Sequence, residues 1–314
     1  MVSIGKTIKN YLYSKSAPNF LFSLYFNRLM SKNRKQLEGI LGQGNDLIQH
    51  LSDQEKAHWV ERINDVLQSP DNAAIPRAEK AGKLVDDQLI MHNGIKIDPL
   101  SYYSFPLLKM LIDNKGVHEP QEEKIFQEVC QSLPKDGKKT MLELGAYWSF
   151  YSMWFQQYFA SANCYMVEPD RRNLFYGKRN VQLNRLKGTF IHAGIGRQMD
   201  RAHNITNVDT ICAQQGIEFI DILHSDIQGY ELEMLEGSEQ TLKAGKVGYI
   251  FISTHSNDLH RDCHHFLKER YGFSLVASAD LKETFSWDGI LVMKAPDYPG
   301  VNQVSISKKQ AQYG

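Results

Sequence analysis

The chain predicts an α/β fold: a doubly wound, mostly parallel sheet of about seven strands with an antiparallel closing hairpin, preceded by a helical region. Three observations carry that prediction. From about residue 139, short apolar runs alternate with segments of about 10–20 residues that suit helices, the pattern of strands joined by helical crossovers. The last two runs, FSLVAS (273–278) and GILVMKA (289–295), have no clear helix between them and so read as a hairpin. Before residue 90 the texture is polar with helical spacing instead.

The elements follow in order. Lys6, Lys9, Lys15, Arg28, Lys32, Arg34 and Lys35 precede the first acid, Glu38, and enclose the aromatic-rich PNFLFSLYFNRLM. This predicts an amphipathic helix, laid on an anionic membrane surface or else packed on the protein or on a second subunit. A secretory leader would need a longer apolar core and a small-residue cleavage site, and neither is evident. LSDQEKAHWVERINDVL predicts a helix capped by Ser52 or Asp53, with Trp59, Ile63, Val66 and Leu67 on one stripe. SPDNAAIP (69–76) breaks it, and QLIMHNGIKID alternates about Asn93-Gly94, a hairpin signal. The strand candidates are then TMLEL (140–144), CYMVE (164–168), TFIHAGI (189–195), FIDILHSD (219–226), VGYIFISTH (247–255) and the closing pair. The tail after Pro296 is polar and reads as peripheral.

Composition narrows the class. The 314 residues are 42% hydrophobic and 23% charged, with 36 basic and 36 acidic side chains, ordinary values for a soluble globular protein. A formal charge of zero gives no reason to expect nucleic acid as a partner. Cys130, Cys164, Cys212 and Cys263 are scattered, which predicts isolated thiols in a reducing cytoplasm rather than a disulfide framework. No apolar run approaches the roughly 18 residues that span a bilayer.

In an open parallel sheet, ligands bind beyond the carboxyl ends of the strands. The first run ends at Glu143-Leu144-Gly145-Ala146, where glycine permits a tight turn and close approach. The second ends at Glu168-Pro169-Asp170, about two dozen residues further on, where an acid can hold both hydroxyls of a ribose. A dinucleotide would require further glycines so that its pyrophosphate meets bare backbone. Here the turn reads Gly145-Ala146-Tyr147-Trp148-Ser149-Phe150. S-adenosylmethionine carries no phosphate, and its sulfonium suits an acid-lined pocket. On the fourth run Ile222, His224 and Asp226 share one side, which places Asp226 at the mouth of the site. His255 ends the fifth run at the same level. A histidine beside a carboxylate suits general-base work, so His255 is the expected base, with Asp226 orienting it or the acceptor.

With those segments in view, Glu119 to Ala295 resembles an FkbM-type S-adenosylmethionine-dependent methyltransferase. The likeness rests on LELGAYWSFYS, MVEPD, NVQLN (180–184), NVDTI (207–211) and SDIQGYELEMLEGSE, with VHEPQEEKIF (117–126) as a lead-in helix. The resemblance implies the class I methyltransferase (Rossmann-like) fold and O-methylation of a hydroxyl on a glycan, glycolipid or secondary metabolite. It implies a cofactor site of Glu143, Gly145, Ala146, Tyr147, Ser149, Glu168, Pro169 and Asp226, with His224 and Gln228 toward the acceptor; Trp287-Asp288-Gly289, before the last strand, is expected either to close over the acceptor or to be a hairpin turn. The sequence departs from the family where Ser149 replaces a glycine, His224 a lysine and Gln228 a glutamate. Four regions follow: a helical region (1–90), a hairpin and lead-in helix (91–138), the methyltransferase domain (139–296) and the tail (297–314).

The expected cofactor is S-adenosyl-L-methionine with no metal. A divalent cation shared by Asp226, His255 and the acceptor's hydroxyls is the alternative. His260 and His264, four apart on a helix, have a spacing that can hold zinc, yet no third ligand is near them in sequence. The N-terminal helices are expected to shape the acceptor site or a homo-oligomer interface. Two other classes stay in view: a catalytically silent methyltransferase-like binding protein, and a nicotinamide-dependent oxidoreductase, which the missing glycines disfavour.

Overall fold

The computed structural model describes residues 19–42, 46–102 and 104–309. The basic residues Lys6, Lys9 and Lys15 therefore lie outside the described residues. Helix α1 (Asn19–Gly42) leads into α2 (Asp53–Gln68). Ser52 caps α2 through a reciprocal box with Glu55, as a Ser-x-x-Glu sequence should. After a 3₁₀ turn (Pro70–Ala74), strands β1 (Leu84–Val85), β2 (Gln88–Ile90) and β3 (Lys96–Ile97) form a small antiparallel sheet. The Asn93-Gly94 turn joins its last two strands, and Leu89 pairs with Ile97. Helices α3 (Phe105–Asp113) and α4 (Pro120–Ser132) precede the main sheet, each opening with proline in its first turn.

The main sheet begins at β4 (Lys139–Leu144). It continues through α5 (Phe150–Tyr158), β5 (Ala162–Val167), α6 (Arg171–Leu183) and β6 (Thr189–Ile191). Two short strands, β7 (Gly194–Ile195) and β8 (Ile205–Thr206), pair apart from it. Then come α7 (Val208–Gln215), β9 (Ile220–Ser225), α8 (Glu231–Glu236), α9 (Glu239–Lys243), β10 (Val247–Thr254) and α10 (Asn257–Tyr271). Strands β11 (Ser274–Ala279) and β12 (Gly289–Lys294) close the chain's last hairpin.

The strand order is β11-β12-β10-β9-β4-β5-β6. Strands β10, β9, β4, β5 and β6 run parallel, while β12 inserts antiparallel between β10 and β11. This is the class I methyltransferase arrangement. The chain leaves β4 toward β5 and later returns to β9 on its other side, so the switch point lies between β4 and β9.

Two hydrophobic clusters fill the two faces of the sheet. Phe126, Phe155 and Phe251 belong to one, and Leu144, Leu223 and Ile252 to the other. The N-terminal helix joins the first of them. Phe22, Phe26 and Met30, at spacings of four, are buried against the protein, and Phe26 meets Phe175 and Tyr176 edge-on at 5.0 and 5.3 Å. Full burial of a phenylalanine contributes about 2–3 kcal/mol. Phe20 and Leu24, on the other side of α1, are exposed. On α2, Ile63 and Val66 pack with Leu107 and Met110, but Leu67 falls off the expected stripe and is largely exposed.

Two expectations need correction. The run 189–195 is not one strand: His192 and Ala193 leave the sheet, because the Asn204 side chain takes the His192 carbonyl and Gly194 donates to the Asn204 carbonyl. Nor is the described tail peripheral. Val304 is buried, Ser307 donates to Asp71, Gln121 donates to the Ser307 carbonyl, and Tyr298 reaches Asp221 at 2.5 Å.

Candidate active site

The switch point opens into a cavity of about 950 Å³, large enough for a nucleoside cofactor and an acceptor together. The β4–α5 turn forms one wall. Gly145 has φ 70°, and a Cβ there would stand 1.7 Å from the Asp226 carbonyl oxygen, so no other residue fits between the ends of β4 and β9. Ala146 donates to the Val167 carbonyl and Asp226 to the Leu144 carbonyl, which ties three strand ends together. Glu168 braces the same turn: one carboxylate oxygen accepts from the Tyr147 amide at 2.9 Å, the other from the Asp170 amide at 2.7 Å. Burial raises its pKa to about 7 despite those two bonds. Glu143 lies beneath, accepting from the Ser152 amide, with its pKa raised by burial.

Glu143, Gly145, Ala146, Tyr147, Glu168, Pro169 and Asp226 line the cavity, as do His224, Gln228 and Trp287. Ser149 is the exception among the expected cofactor residues. It adopts the left-handed conformation, with φ 65°, and is 1% exposed. A Cβ on Gly177 of α6 would stand 2.5 Å from the Ser149 hydroxyl oxygen. The side chain has turned away from the cavity into space that a glycine on the neighbouring helix leaves open.

The catalytic corner also differs from expectation. His255 Nδ1 lies 2.7 Å from Glu231 Oε1, and Glu231 has no exposed surface. Its Nε2 lies 3.4 Å from Asp226 Oδ1 and 3.3 Å from Asp288 Oδ1. Asp226 and Asp288 line the cavity, while His255 stands behind them. Burial alone would lower the imidazole pKa. The nearby carboxylates of Asp226 and Glu231 and the charge of Asp288 outweigh it and raise the value to about 10. Burial, reinforced by Asp226, lifts Asp288 to about 6. The value lies above the near-neutral range expected of a base, and Asp226 and Asp288, rather than His255 itself, stand on the cavity side.

Beneath this corner lies a polar layer that sequence reasoning passed over. His224 Nε2 meets Glu122 Oε1 at 2.6 Å and stacks near Tyr151, so His224 is anchored as well as lining. Glu123 sits between His118 (2.6 Å) and His92 (3.0 Å), with none of its side chain exposed. Burial, with the charges of Glu122, Asp226 and Asp288, carries Glu119 up to about 8, His118 opposing. In VHEPQEEKIF the acids at 119, 122 and 123 have i, i+3 and i+4 spacing, a face visible in the sequence. Their buried histidine partners come from distant segments and were not.

Helix α2 supplies the outer wall. Arg62 is buried, donates to the Phe285 carbonyl at 3.0 Å and lies 4.8 Å over the Trp287 ring. Trp59 meets the same ring at 5.3 Å. The His260 zinc reading finds no support: its two ring nitrogens are taken by Thr254 and Ser278, each at 2.8 Å. Among the described residues, the one cluster with metal-ligand geometry is Asp226, His255 and Asp288. The four cysteines are free and buried, and no helix among the described residues is long and apolar enough to cross a membrane.

Fold and cavity together define a class I methyltransferase architecture with a cofactor-sized site at its switch point. The family model described as the methyltransferase FkbM domain matches residues 203–275, a stretch that includes Asp226, Glu231 and His255 but not the Gly145 turn. No curated protein matches detectably in sequence. Solved structures with a similar fold include the METTL16 methyltransferase domain (12% identity, TM-score 0.45, 74% of this chain and 92% of that one). Others are M. capricolum TrmK with S-adenosyl-homocysteine (11%, TM-score 0.40, 58% and 70%) and a Geobacter sulfurreducens methyltransferase (18%, TM-score 0.40, 57% and 79%). At these values the likenesses add nothing to what the strand order already shows.

Proposed function

We propose that the protein is an S-adenosylmethionine-dependent O-methyltransferase acting on a hydroxyl of a glycan, glycolipid or secondary metabolite. The carrying observation is the donor set around the switch-point cavity. Glu168 ends β5 beside a turn whose Tyr147 and Trp148 side chains line the cavity, where a pyrophosphate would require bare backbone. Carboxylates at Glu143, Glu168 and Asp226 suit a cation and a ribose. Bound there, the cofactor supplies a methyl group already activated by its sulfonium.

The chain's own part is to align an acceptor oxygen and receive its proton. The Asp226–Asp288 pair faces that oxygen, and the hydroxyl proton passes to the pair while His255 balances its charge from behind. Tyr102, Trp148 and Trp287 line the cavity, and an aromatic lining suits the apolar faces of a sugar or polyketide ring.

Calorimetric titration tests the cofactor assignment. Adenosylmethionine and adenosylhomocysteine should bind and a nicotinamide dinucleotide should not. Glu168→Ala should weaken adenosylmethionine binding at least tenfold, and His255→Ala should slow turnover with cofactor affinity nearly unchanged. A folded wild-type protein that binds neither adenosyl compound would sink the assignment.

A further inference from the structure

We propose that Asp226, His255 and Asp288 bind a six-coordinate divalent cation of the Mn²⁺ or Mg²⁺ type, whose open positions take two adjacent oxygens of the acceptor. The first support is spacing. One ligand atom from each residue lies within 4.8 Å of the others, with His255 Nε2 at 3.4 and 3.3 Å from the two carboxylate oxygens. Ligands in neighbouring positions around an ion with bonds of about 2.1 Å stand about 3 Å apart, so a small closure completes the set.

The second support is the orientation of the imidazole. Glu231 is fully buried and meets Nδ1 at 2.7 Å. A carboxylate on Nδ1 keeps a proton there and points Nε2 outward, the device that orients metal-binding histidines. Nε2 is buried and makes no close hydrogen bond. Nε2 and two carboxylate oxygens therefore converge on one point; in the free protein a proton on Nε2 serves them, and a divalent cation would displace that proton and draw the same three atoms inward. Gln228 Nε2 donates to Asp226 Oδ1 at 3.0 Å and fixes that carboxylate in turn.

The third support is placement. Asp226 and Asp288 border the cavity with His255 behind, so the three ligands occupy one side and leave the cavity side open. Two carboxylates suit Mn²⁺ or Mg²⁺, and the imidazole favours Mn²⁺ over Mg²⁺ and Ca²⁺, which prefer oxygen ligands. An ion there binds a hydroxyl together with a neighbouring oxygen and lowers the hydroxyl's pKa. The acceptor class becomes a vicinal diol or an α-hydroxy carbonyl. This acceptor half rests on the methyl-transfer reading; the cation half does not.

The test uses the full chain, stripped with a chelator and titrated with Mn²⁺ alone, with free Mn²⁺ followed by electron paramagnetic resonance. One saturable site is expected at micromolar Mn²⁺. Asp288→Asn and His255→Gln should each weaken it more than tenfold, Glu231→Gln by about 10–100-fold, and Glu239→Gln, on the exposed surface of α9, not at all. Circular dichroism checks that each variant is folded. Binding only at millimolar Mn²⁺, or a site indifferent to Asp288→Asn, overturns the proposal. Adenosylmethionine is titrated in parallel under chelation. Loss of the Mn²⁺ site with cofactor binding intact rejects the cation alone; loss of cofactor binding with the Mn²⁺ site intact rejects methyl transfer alone.

Discussion

Gly177 and Ser149 form a matched pair in which the smaller residue has moved from the cofactor turn to the helix behind it. Ser149 holds a left-handed conformation that costs an L-residue about 1 kcal/mol, and its buried hydroxyl has no hydrogen-bond partner. Replacing it with glycine should stabilise the fold by about 1 kcal/mol. Gly177→Ala drives a methyl group against the Ser149 hydroxyl and should destabilise by about 1–3 kcal/mol. The informative measurement is the double variant in urea: Ser149→Gly should recover much of the Gly177→Ala loss. Additive effects would show that the two side chains do not compete for the same space. Sequence alone marked Ser149 as a departure but could not show which way it points, because its direction depends on a backbone angle and on a helix 28 positions away.

Among the elements, the strands were legible because each apolar run is short, bounded by polar residues and followed by a helical pattern. The α2 start was legible because its capping box is local. What escaped notice are the partners brought together by the sheet itself. Asp288 joins His255 because Thr254 of β10 pairs with Gly289 of β12, a register that no neighbouring residues announce. Arg62 and Trp59 of α2 reach Trp287 across more than two hundred positions for the same reason. This contact makes α2 part of the cavity wall. Trp59→Ala removes one face of the Trp287 packing without touching the cofactor turn. Acceptor KM is expected to rise about tenfold, the loss of about 1.4 kcal/mol of binding, while cofactor Kd holds. A matched rise in both constants would place α2 outside the acceptor wall.

At the scale of the whole molecule, one buried network links the small sheet to α4 through His92, Glu123, His118 and Glu119, and Glu122 carries α4 on to His224 of the main sheet. Burial pulls the His118 pKa down, but Glu123 and Glu119 carry it up to about 9. A histidine whose folded pKa is raised stabilises fully below its unfolded value of about 6.5. That contribution is lost as pH climbs through about 9. Glu119 acts in the same direction, since burial raises it to about 8 and the folded chain keeps a proton that the unfolded chain has released. Glu123, held far below its usual value by His118 and His92, contributes above about pH 4.5 and loses that contribution progressively as pH falls further, outside this window. The melting temperature should therefore fall between pH 6.5 and 9. His118→Gln should flatten that slope while lowering the melting temperature at pH 6.5. An unchanged slope in the variant would remove His118 as its source.

The clasp of α2 on the Trp287 loop has an evolutionary consequence. The cavity's floor comes from the middle of the polypeptide, between Glu143 and Asp226, and its roof from two distant segments, α2 and the Trp287 loop, joined by a few rings and one guanidinium. Selection can therefore rewrite the roof while the floor stays fixed. An exchange of residues 46–115 for the corresponding stretch of a relative would transplant a preference for targets while leaving the donor chemistry where it was.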